Sequence, residues 1–197
     1  MRKSLIALDA DGVCVDWFGT FRTFANERLG TNLQYGEASA HHLAVCFGVT
    51  TTRMQEVTQE FDEEYCNRLF PPINGFVESV AILKGRYNFA VITGRVELYR
   101  EATMAFFDKY LPRAPVYFSS PTKNPFGGGN GRLSKMESAK QINAAYFIED
   151  NESEFHDWDS RIALPICYAQ PWNRSLEKTH PHIPRLVWPE ITRLLLG

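Results

Sequence analysis

The amino-acid sequence predicts an α/β fold: a doubly wound, Rossmann-like parallel sheet with a small helical cap inserted after the first strand. Short apolar runs recur along the chain, and each ends abruptly in polar or glycine-containing residues. Continuous apolar runs of this kind are typical of strands buried on both faces of a parallel sheet. Helix-like stretches separate several runs, and this alternation is typical of doubly wound domains. The segment 17–70 carries only helical patterns, which predicts the cap.

The individual elements follow from these patterns in chain order. Apolar runs predict five strands, at residues 4–8, 89–92, 115–118, 145–148 and 163–169. Apolar positions that recur at three and four residues predict helices between the strands, at 77–84, 96–109 and 134–144. The same spacing predicts cap helices at 18–28, 36–45 and 52–69. We therefore expect a catalytic core formed by residues 1–16 and 71–197 and a cap formed by residues 17–70.

Composition and charge narrow the function classes. The chain has 197 residues and a formal net charge of −2, so no broad electrostatic attraction favours a nucleic-acid duplex or an anionic membrane. Its four cysteines, at positions 14, 46, 66 and 167, form no Cys-x-x-Cys pair, which argues against a zinc ribbon or a redox motif and favours reduced thiols. The first apolar run is too short for a secretory signal or a membrane span, so we expect a cytoplasmic protein.

Acidic side chains stand at the ends of two predicted strands. Asp9 and Asp11 follow the first strand, and side chains two residues apart point to the same side of a strand. Taken alone, this pair is as consistent with a solvated turn as with a site. Glu149 and Asp150 follow the fourth predicted strand, and the carboxyl ends of parallel strands meet at one edge of a sheet. Four carboxylates there would repel one another without a cation, and Mg²⁺ is the natural choice beside a phosphate.

Further polar groups fall at the same predicted edge. Thr93 ends the second strand and offers a hydroxyl donor, while Gly94 lets the backbone approach a ligand closely. Lys135 begins a predicted helix and offers a positive charge. Arg95 is equally consistent with a substrate contact and with an ion pair to a surface carboxylate. Asp16 is equally consistent with a ligand contact and with capping the helix that follows it.

Four segments resemble the motifs of the haloacid dehalogenase superfamily. Residues 9–13 (DADGV) resemble its first motif and residues 93–95 (TGR) its second. Lys135 is similar to its third motif, and the pair of Glu149 and Asp150 to its fourth. The resemblance spans roughly residues 4–155. It implies a Mg²⁺-dependent phosphohydrolase that forms a covalent aspartyl-phosphate intermediate.

The resemblance also implies the catalytic roles. Asp9 would attack phosphorus as the nucleophile. Asp11 would protonate the leaving oxygen and later deprotonate the water that hydrolyses the intermediate. Thr93 and Lys135 would bind the transferring phosphoryl oxygens and offset their charge.

A metal site is implied by the same resemblance. Mg²⁺ would be held by the Asp9 carboxylate, the Asp11 backbone carbonyl and Asp150. Glu149 would act on the metal through water, and Glu154 would order the metal side of the site from outside the ligand set.

Less specific sequence similarities indicate one branch of the superfamily. Residues 11–17 (DGVCVDW) resemble the start of the deoxyribonucleotidase-like 5′-nucleotidases, and residues 170–174 (QPWNR) and 188–191 (WPEI) resemble that group's C-terminal segment. This resemblance implies a phosphomonoesterase whose substrate is a nucleoside monophosphate. Gly94, Arg95 and Trp17 are the expected substrate contacts, although Trp17 is equally suited to packing the cap.

Other functions stay open on the same residues. One alternative is a phosphatase or phosphomutase for sugar phosphates, other small esters or nucleic-acid terminal phosphates. Another is a non-catalytic binding protein that keeps the fold. The histidines at 41, 42, 180 and 182 lack partners at metal-ligand spacing. The glycine stretch at 126–131 lacks the Gly-Lys-Ser/Thr ending of a phosphate loop and is interpreted as a surface turn.

Overall fold

Parallel strands form the centre of the protein. The computed structural model describes residues 3–40, 42–119, 133–156 and 158–197. Within them the strands are β1 (Ser4–Leu8), β2 (Tyr87–Thr93), β3 (Val116–Phe118), β4 (Tyr146–Glu149), β5 (Leu164–Tyr168) and β6 (Arg185–Leu186). Their order across one all-parallel sheet is β3-β2-β1-β4-β5-β6. The predicted α/β class is confirmed, whereas β6 was not predicted because two residues are too few to show an apolar run.

Helices connect the strands. The α-helices are α1 (Trp17–Leu29), α2 (Leu43–Phe47), α3 (Thr51–Tyr65), α4 (Phe76–Leu83), α5 (Arg100–Tyr110), α6 (Lys135–Gln141), α7 (Leu176–Thr179) and α8 (Trp188–Leu196). Short 3₁₀ helices lie at Tyr35–Glu37, Glu97–Tyr99, Glu152–Phe155 and Pro171–Asn173. The helix predicted at 36–45 is wrong. The 3₁₀ helix there ends at Glu37, Ala38 after it has an extended backbone, and the next helix, α2, begins only at Leu43.

The sheet is covered on both faces. Along β1, Ile6 and Leu8 belong to one buried cluster and Ala7 to another, as the alternation of side chains on a strand requires. The first cluster includes buried residues of α4, α5 and α8, and the second includes Ala139 of α6. This two-sided packing is the doubly wound arrangement that the continuous apolar runs predict.

Only helices lie between β1 and β2 in the described part of the chain. Phe21 of α1 makes edge-to-face contacts with Phe47 of α2 and Phe61 of α3, at ring-centroid distances of 6.1 and 5.2 Å. The Asp16 side chain accepts a hydrogen bond of 2.9 Å from the Gly19 backbone N–H, so this residue caps α1. These helices share one continuous buried cluster with the sheet, and the boundary drawn at residues 17–70 stays a prediction.

No helix among the described residues is both long enough and apolar enough to cross a membrane.

Candidate active site

The ends of β1 and β4 bring three carboxylates together. The Asp9 backbone N–H, directly after β1, donates to the Ile148 carbonyl of β4 at 2.9 Å. This bond holds the tip of β1 beside Glu149 and Asp150. Carboxylate oxygens of Asp9, Glu149 and Asp150 lie within 4.8 Å of one another, and all three residues are buried. The predicted convergence of acids at one sheet edge is therefore present for these three residues.

Lys135 enters this cluster from the start of α6. Its helix begins with a capping box in which the Ser134 hydroxyl accepts from the Glu137 backbone N–H and the Glu137 carboxylate accepts from the Ser134 backbone N–H. The cap fixes the first turn, so Lys135 points back toward the strand ends. Its ammonium nitrogen lies 3.0 Å from Asp9 Oδ1 and 2.6 Å from Glu149 Oε2.

The cluster carries more negative than positive charge. Burial, then the neighbouring Glu149, raises the pKa of Asp9 to about 8, against the opposing effect of Lys135. The pKa of Asp150 is also raised, first by burial and then by the charges of Glu149 and Asp9. Burial alone would lower the pKa of Lys135, but the negative charges of Asp9 and Glu149 outweigh burial, so the pKa of Lys135 is raised above its ordinary value. One ammonium group faces three buried carboxylates, so negative charge is in excess. A divalent cation would stabilise such a group.

Hydrogen bonds leave two carboxylate oxygens open in this cluster. Glu149 uses Oε2 for Lys135 and accepts at Oε1 from the backbone N–H groups of Asp150 and Asn151, at 3.1 and 3.0 Å. Among the described contacts, none engages Asp9 Oδ2 or Asp150 Oδ1. These two open carboxylate oxygens fit a hard cation that prefers oxygen ligands, such as Mg²⁺. Glu149 orders the loop after β4 through its hydrogen bonds to the backbone.

Asp11 is held away from the three-carboxylate cluster by Arg95. The guanidinium donates from Nε to Asp11 Oδ2 at 2.8 Å and from Nη2 to Oδ1 at 2.5 Å. Its third nitrogen donates to the Thr103 hydroxyl of α5 at 2.9 Å. Arg95 is buried and forms its ion pair with Asp11, whose side chain is 36% exposed and lines the cavity, while a substrate contact of Arg95 stays a prediction. Arg95 therefore orients Asp11, and only the Asp11 backbone carbonyl stays a predicted metal ligand.

Thr93 and Gly94 join the site from the end of β2. The Thr93 hydroxyl accepts from the Arg95 backbone N–H at 3.2 Å, and its carbonyl accepts from the Ser119 backbone N–H at 2.8 Å. A Cβ built on Gly94 meets no atom within 4 Å, so open space adjoins the backbone there. Glu154 lies in the 3₁₀ helix after β4, and its charge contributes to the raised pKa of Lys135.

Gly12 is required sterically next to Asp150. Its φ of +72° lies in the left-handed region, and an added Cβ would sit 2.4 Å from Asp150 Oδ2. Its carbonyl accepts from the Gln170 side-chain amide at 2.6 Å, which fixes the turn. The turn after β1 thus wraps closely around a predicted metal ligand.

We expect Gly12→Ala to cost stability and metal affinity together. Backbone strain alone should cost roughly 1–2 kcal/mol, and the clash with Asp150 should add about 1–3 kcal/mol. Gly30→Ala is the matched control, because Gly30 has a φ of +64° but no atom within 4 Å of the added Cβ. Chemical denaturation and Mg²⁺ titration of both variants measure the difference. Equal losses in the two variants would contradict the close fit against Asp150.

A turn after β5 secures Asp150, and sequence reasoning assigned it no role in the site. The Trp172 indole N–H donates to Asp150 Oδ2 at 2.9 Å, and the Asn173 side-chain amide donates to the Asp150 carbonyl at 2.7 Å. Both residues are buried. The position of this polar segment in the sequence could have indicated its role, because it follows a predicted strand just as Asp9 and Glu149 do. The turn orients the acid from outside the ligand set.

We expect Trp172→Phe to weaken Mg²⁺ binding by roughly 10- to 100-fold, because Asp150 loses the donor that orients it. Trp158→Phe is the matched control. The Trp158 indole N–H donates to the Ala163 carbonyl at 2.9 Å, and Trp158 does not line the cavity. Isothermal titration with Mg²⁺ measures both affinities. An unchanged affinity in Trp172→Phe would show that Asp150 is oriented without the indole.

These groups surround a cavity of about 430 Å³. From the strand ends it is lined by Asp9, Asp11, Gly12, Thr93, Gly94, Arg95, Lys135, Glu149 and Asp150. Trp17, Phe18, Ala40, Leu43, Thr58 and Asp62 line it from the segment between β1 and β2, and Tyr99 and Trp172 complete much of the wall. Trp17 stacks on Phe21 at 4.7 Å with an interplanar angle of 8°, so one face of its indole is covered. Trp17 thus both packs helices and borders the cavity.

Two predictions fall wholly or partly outside the described residues. The glycine stretch at 126–131 and His41 lie there. The His180 ring lies between two others, with centroid distances of 5.1 Å to His156 and 6.0 Å to His182. Among described residues, these rings form no group with metal-binding geometry.

The sequence matches no protein-family model and no curated protein. Solved structures, however, match over the whole chain. A protein from Lactobacillus delbrueckii subsp. bulgaricus assigned as a phosphoglycolate phosphatase has a TM-score of 0.63 at 15% identity, covering 100% of both chains. The chain has the fold of the haloacid dehalogenase-like hydrolases.

Two further structures share this haloacid dehalogenase-like fold. A hydrolase of the haloacid dehalogenase-like family from Streptococcus pneumoniae has a TM-score of 0.64 at 13% identity, covering 98% of both chains. A protein from Thermotoga maritima assigned as a β-phosphoglucomutase has a TM-score of 0.60 at 13% identity, again covering 98% of both. None of these three proteins is described as a nucleotidase, so the narrower resemblance stays a prediction.

Proposed function

We propose that the chain is a Mg²⁺-dependent phosphomonoesterase in which Asp9 is the covalent nucleophile. The observation that carries the proposal is the buried cluster of Asp9, Glu149, Asp150 and Lys135 at the carboxyl ends of β1 and β4. A buried excess of carboxylates would be costly in a protein that only binds a neutral ligand. The cluster opens on a cavity large enough for a small ester, and the similar structures are described as phosphatase, hydrolase and phosphomutase.

In the first step, an Asp9 carboxylate oxygen forms a bond to phosphorus while the bond from phosphorus to the ester oxygen breaks. Asp11 transfers a proton to that leaving oxygen. The bidentate contact with Arg95 holds Asp11 at the cavity wall, where it can reach the leaving group rather than the metal ligands. Proton donation requires Asp11 to bind a proton beside Arg95, so we infer that substrate binding loosens this ion pair.

In the second step, water attacks the phosphorus of the aspartyl-phosphate and the bond to Asp9 breaks. Asp11, now a carboxylate, accepts the proton from that water, which returns both residues to their initial states. Lys135, which contacts Asp9, and the Thr93 hydroxyl would each donate to a phosphoryl oxygen. When bound, Mg²⁺ would offset the charges of Asp9, Asp150 and the phosphoryl group.

The favoured substrate is a small phosphate ester of the sugar-phosphate type. The similar structure assigned as a β-phosphoglucomutase supports a sugar leaving group. Nucleoside monophosphates are the second candidate, because Trp17, Phe18 and Trp172 supply aromatic surface in the cavity. Initial rates with equal concentrations of sugar phosphates, nucleoside monophosphates and phosphorylated nucleic-acid ends decide between these classes.

We expect removal of divalent cations to abolish activity. Without a cation, the raised pKa of Asp9 leaves much of the nucleophile protonated near neutral pH, and the approach of a phosphate dianion is opposed by Glu149 and Asp150. Treatment with a chelator followed by desalting should reduce phosphate release to below roughly 1% of the initial rate. Added Mg²⁺ should restore it. Full activity after complete metal removal would contradict the proposed site, and no activity on any ester with Mg²⁺ present would favour the non-catalytic alternative.

A further inference from the structure

One acidic side chain, that of Asp62, lines the cavity from α3. Asp62 and Thr58 stand one turn apart on α3, and both line the cavity. The Tyr99 hydroxyl donates to Asp62 Oδ1, and the Tyr99 ring borders Arg95, whose guanidinium carbon lies 5.6 Å from the ring centroid. Asp62 is half-buried, and among the described residues it forms no ion pair. A hydrogen bond from Tyr99 therefore orients one carboxylate oxygen of Asp62.

The positive charges of this cavity are already engaged. Of the described residues that line it, only Lys135 and Arg95 are lysine or arginine. Lys135 contacts Asp9 and Glu149, and Arg95 makes its bidentate contact with Asp11. Both therefore serve the end of the cavity where phosphoryl transfer would occur. No described lysine or arginine forms an ion pair with Asp62, whose recorded side-chain partner is the Tyr99 hydroxyl.

A second cavity adjoins the first at Asp62 and is also lined by acidic side chains. Its volume is about 660 Å³, and it shares Leu43, Thr58 and Asp62 with the first. Its described lining adds the acidic Glu63 and includes no lysine or arginine. A leaving group too long for the first cavity would continue past Asp62 into this second one. It would again meet a carboxylate, and His42 is the one residue of the described lining there that can carry a positive charge.

We propose that Asp62 determines substrate specificity, accepting a hydrogen bond from a hydroxyl of an uncharged leaving group and excluding leaving groups that carry a carboxylate. This inference rests on the proposed phosphatase function. A leaving-group hydroxyl can donate to the Asp62 oxygen that Tyr99 does not use, while Trp17 and Leu43 contact its carbon skeleton. A leaving-group carboxylate has no proton to donate and faces a like charge in a partly desolvated site. The selected class is thus a neutral polyhydroxylated ester.

Matched pairs of esters test this specificity. Glycerol 3-phosphate and 3-phosphoglycerate differ in one end of a three-carbon leaving group, which is a hydroxymethyl group in the first and a carboxylate in the second. Glucose 6-phosphate and 6-phosphogluconate give a six-carbon pair that also contrasts a neutral with a carboxylated leaving group. Burial raises the pKa of Asp62 above its ordinary value, so the assays are run with Mg²⁺ at about pH 8, well above the ordinary range for a carboxyl. Wild-type kcat/KM should then favour the neutral member of at least one pair by roughly tenfold or more.

Asp62→Asn should reduce that preference by roughly tenfold. The kcat/KM for the carboxylated ester should rise, whereas the kcat/KM for the neutral ester should not. The amide keeps an oxygen that can accept from Tyr99, and thermal unfolding verifies the fold. Glu56→Gln is the matched control, because Glu56 is an exposed residue of the same helix that pairs with Arg53 and lines neither cavity. It removes the same charge and should leave the preference unchanged.

Three outcomes would overturn the inference. One is a wild-type enzyme that hydrolyses the carboxylated esters as well as the neutral ones. Another is an equal change of preference in Glu56→Gln, which would indicate a general charge effect. The third is faster hydrolysis of phosphoethanolamine than of either neutral ester, which would assign Asp62 to an ammonium group. Each leaves the phosphatase function standing, whereas a wild-type protein inactive on every ester would remove that function itself.

Discussion

Asp9→Asn will abolish phosphatase turnover while the protein stays folded. An asparagine amide has the same shape as the carboxylate but cannot form the acyl phosphate that the proposed reaction requires. The kcat should fall by more than about a thousandfold, equivalent to a barrier higher by at least roughly 4 kcal/mol. The substitution removes one of three clustered buried carboxylates, so the free energy of unfolding in the absence of Mg²⁺ should not fall. Steady-state kinetics and chemical denaturation measure these two quantities.

Asp16→Asn is the matched control for this experiment. Asp16 is an acid in the same turn after β1, but its side chain caps α1 and it does not line the cavity. Asparagine caps helices about as well as aspartate, so both activity and stability should be close to those of the wild type. A kcat for Asp9→Asn above roughly a thousandth of the wild-type value, with stability intact, would remove Asp9 as the nucleophile.

Lys135→Met will reduce both activity and metal-free stability. The ammonium group is the one described cation that contacts Asp9 and Glu149, and all three side chains are buried. Removing one partner of such a group leaves buried charge uncompensated and should cost about 3–5 kcal/mol of unfolding free energy. Loss of a donor to the phosphoryl oxygens should lower kcat by roughly 10²- to 10³-fold. Denaturation with and without Mg²⁺, together with kinetics at saturating Mg²⁺, separates the two effects.

The sign of the metal effect distinguishes Lys135 from a residue that only packs. Without its ammonium the carboxylate cluster is more negative, so Mg²⁺ should bind at least as tightly as before and recover part of the lost stability. Lys140→Met on the same helix is the control, because Lys140 is exposed and does not line the cavity. If Lys135→Met kept wild-type kcat, or lost no stability in the absence of metal, the charge compensation inferred for Lys135 would be contradicted.

Local sequence patterns were sufficient for the fold class and for the acidic edge of the site. A strand buried on both faces must be apolar over most of its length, so residues 5–8 and 146–148 are visible as apolar runs. In a parallel sheet, whatever follows such runs lies at the same edge, which places Asp9, Glu149 and Asp150 together. The predictions failed where the pattern was weak. The helix expected at 36–45 is one case, because short polar turns there close through side-chain caps that periodicity does not report.

Only the tertiary structure shows which contacts hold each acid in place. The sequence by itself placed Asp9, Asp11, Thr93, Lys135 and Asp150 at strand and helix ends, because those positions follow from chain connectivity. The pairing of Arg95 with Asp11 spans 84 residues, and the hydrogen bond from Gln170 to Gly12 spans 158. The role of Asp62 likewise depends on Tyr99, which is 37 residues away. Such contacts arise when separate loops converge over the sheet, and a local pattern carries no information about which side chains meet there.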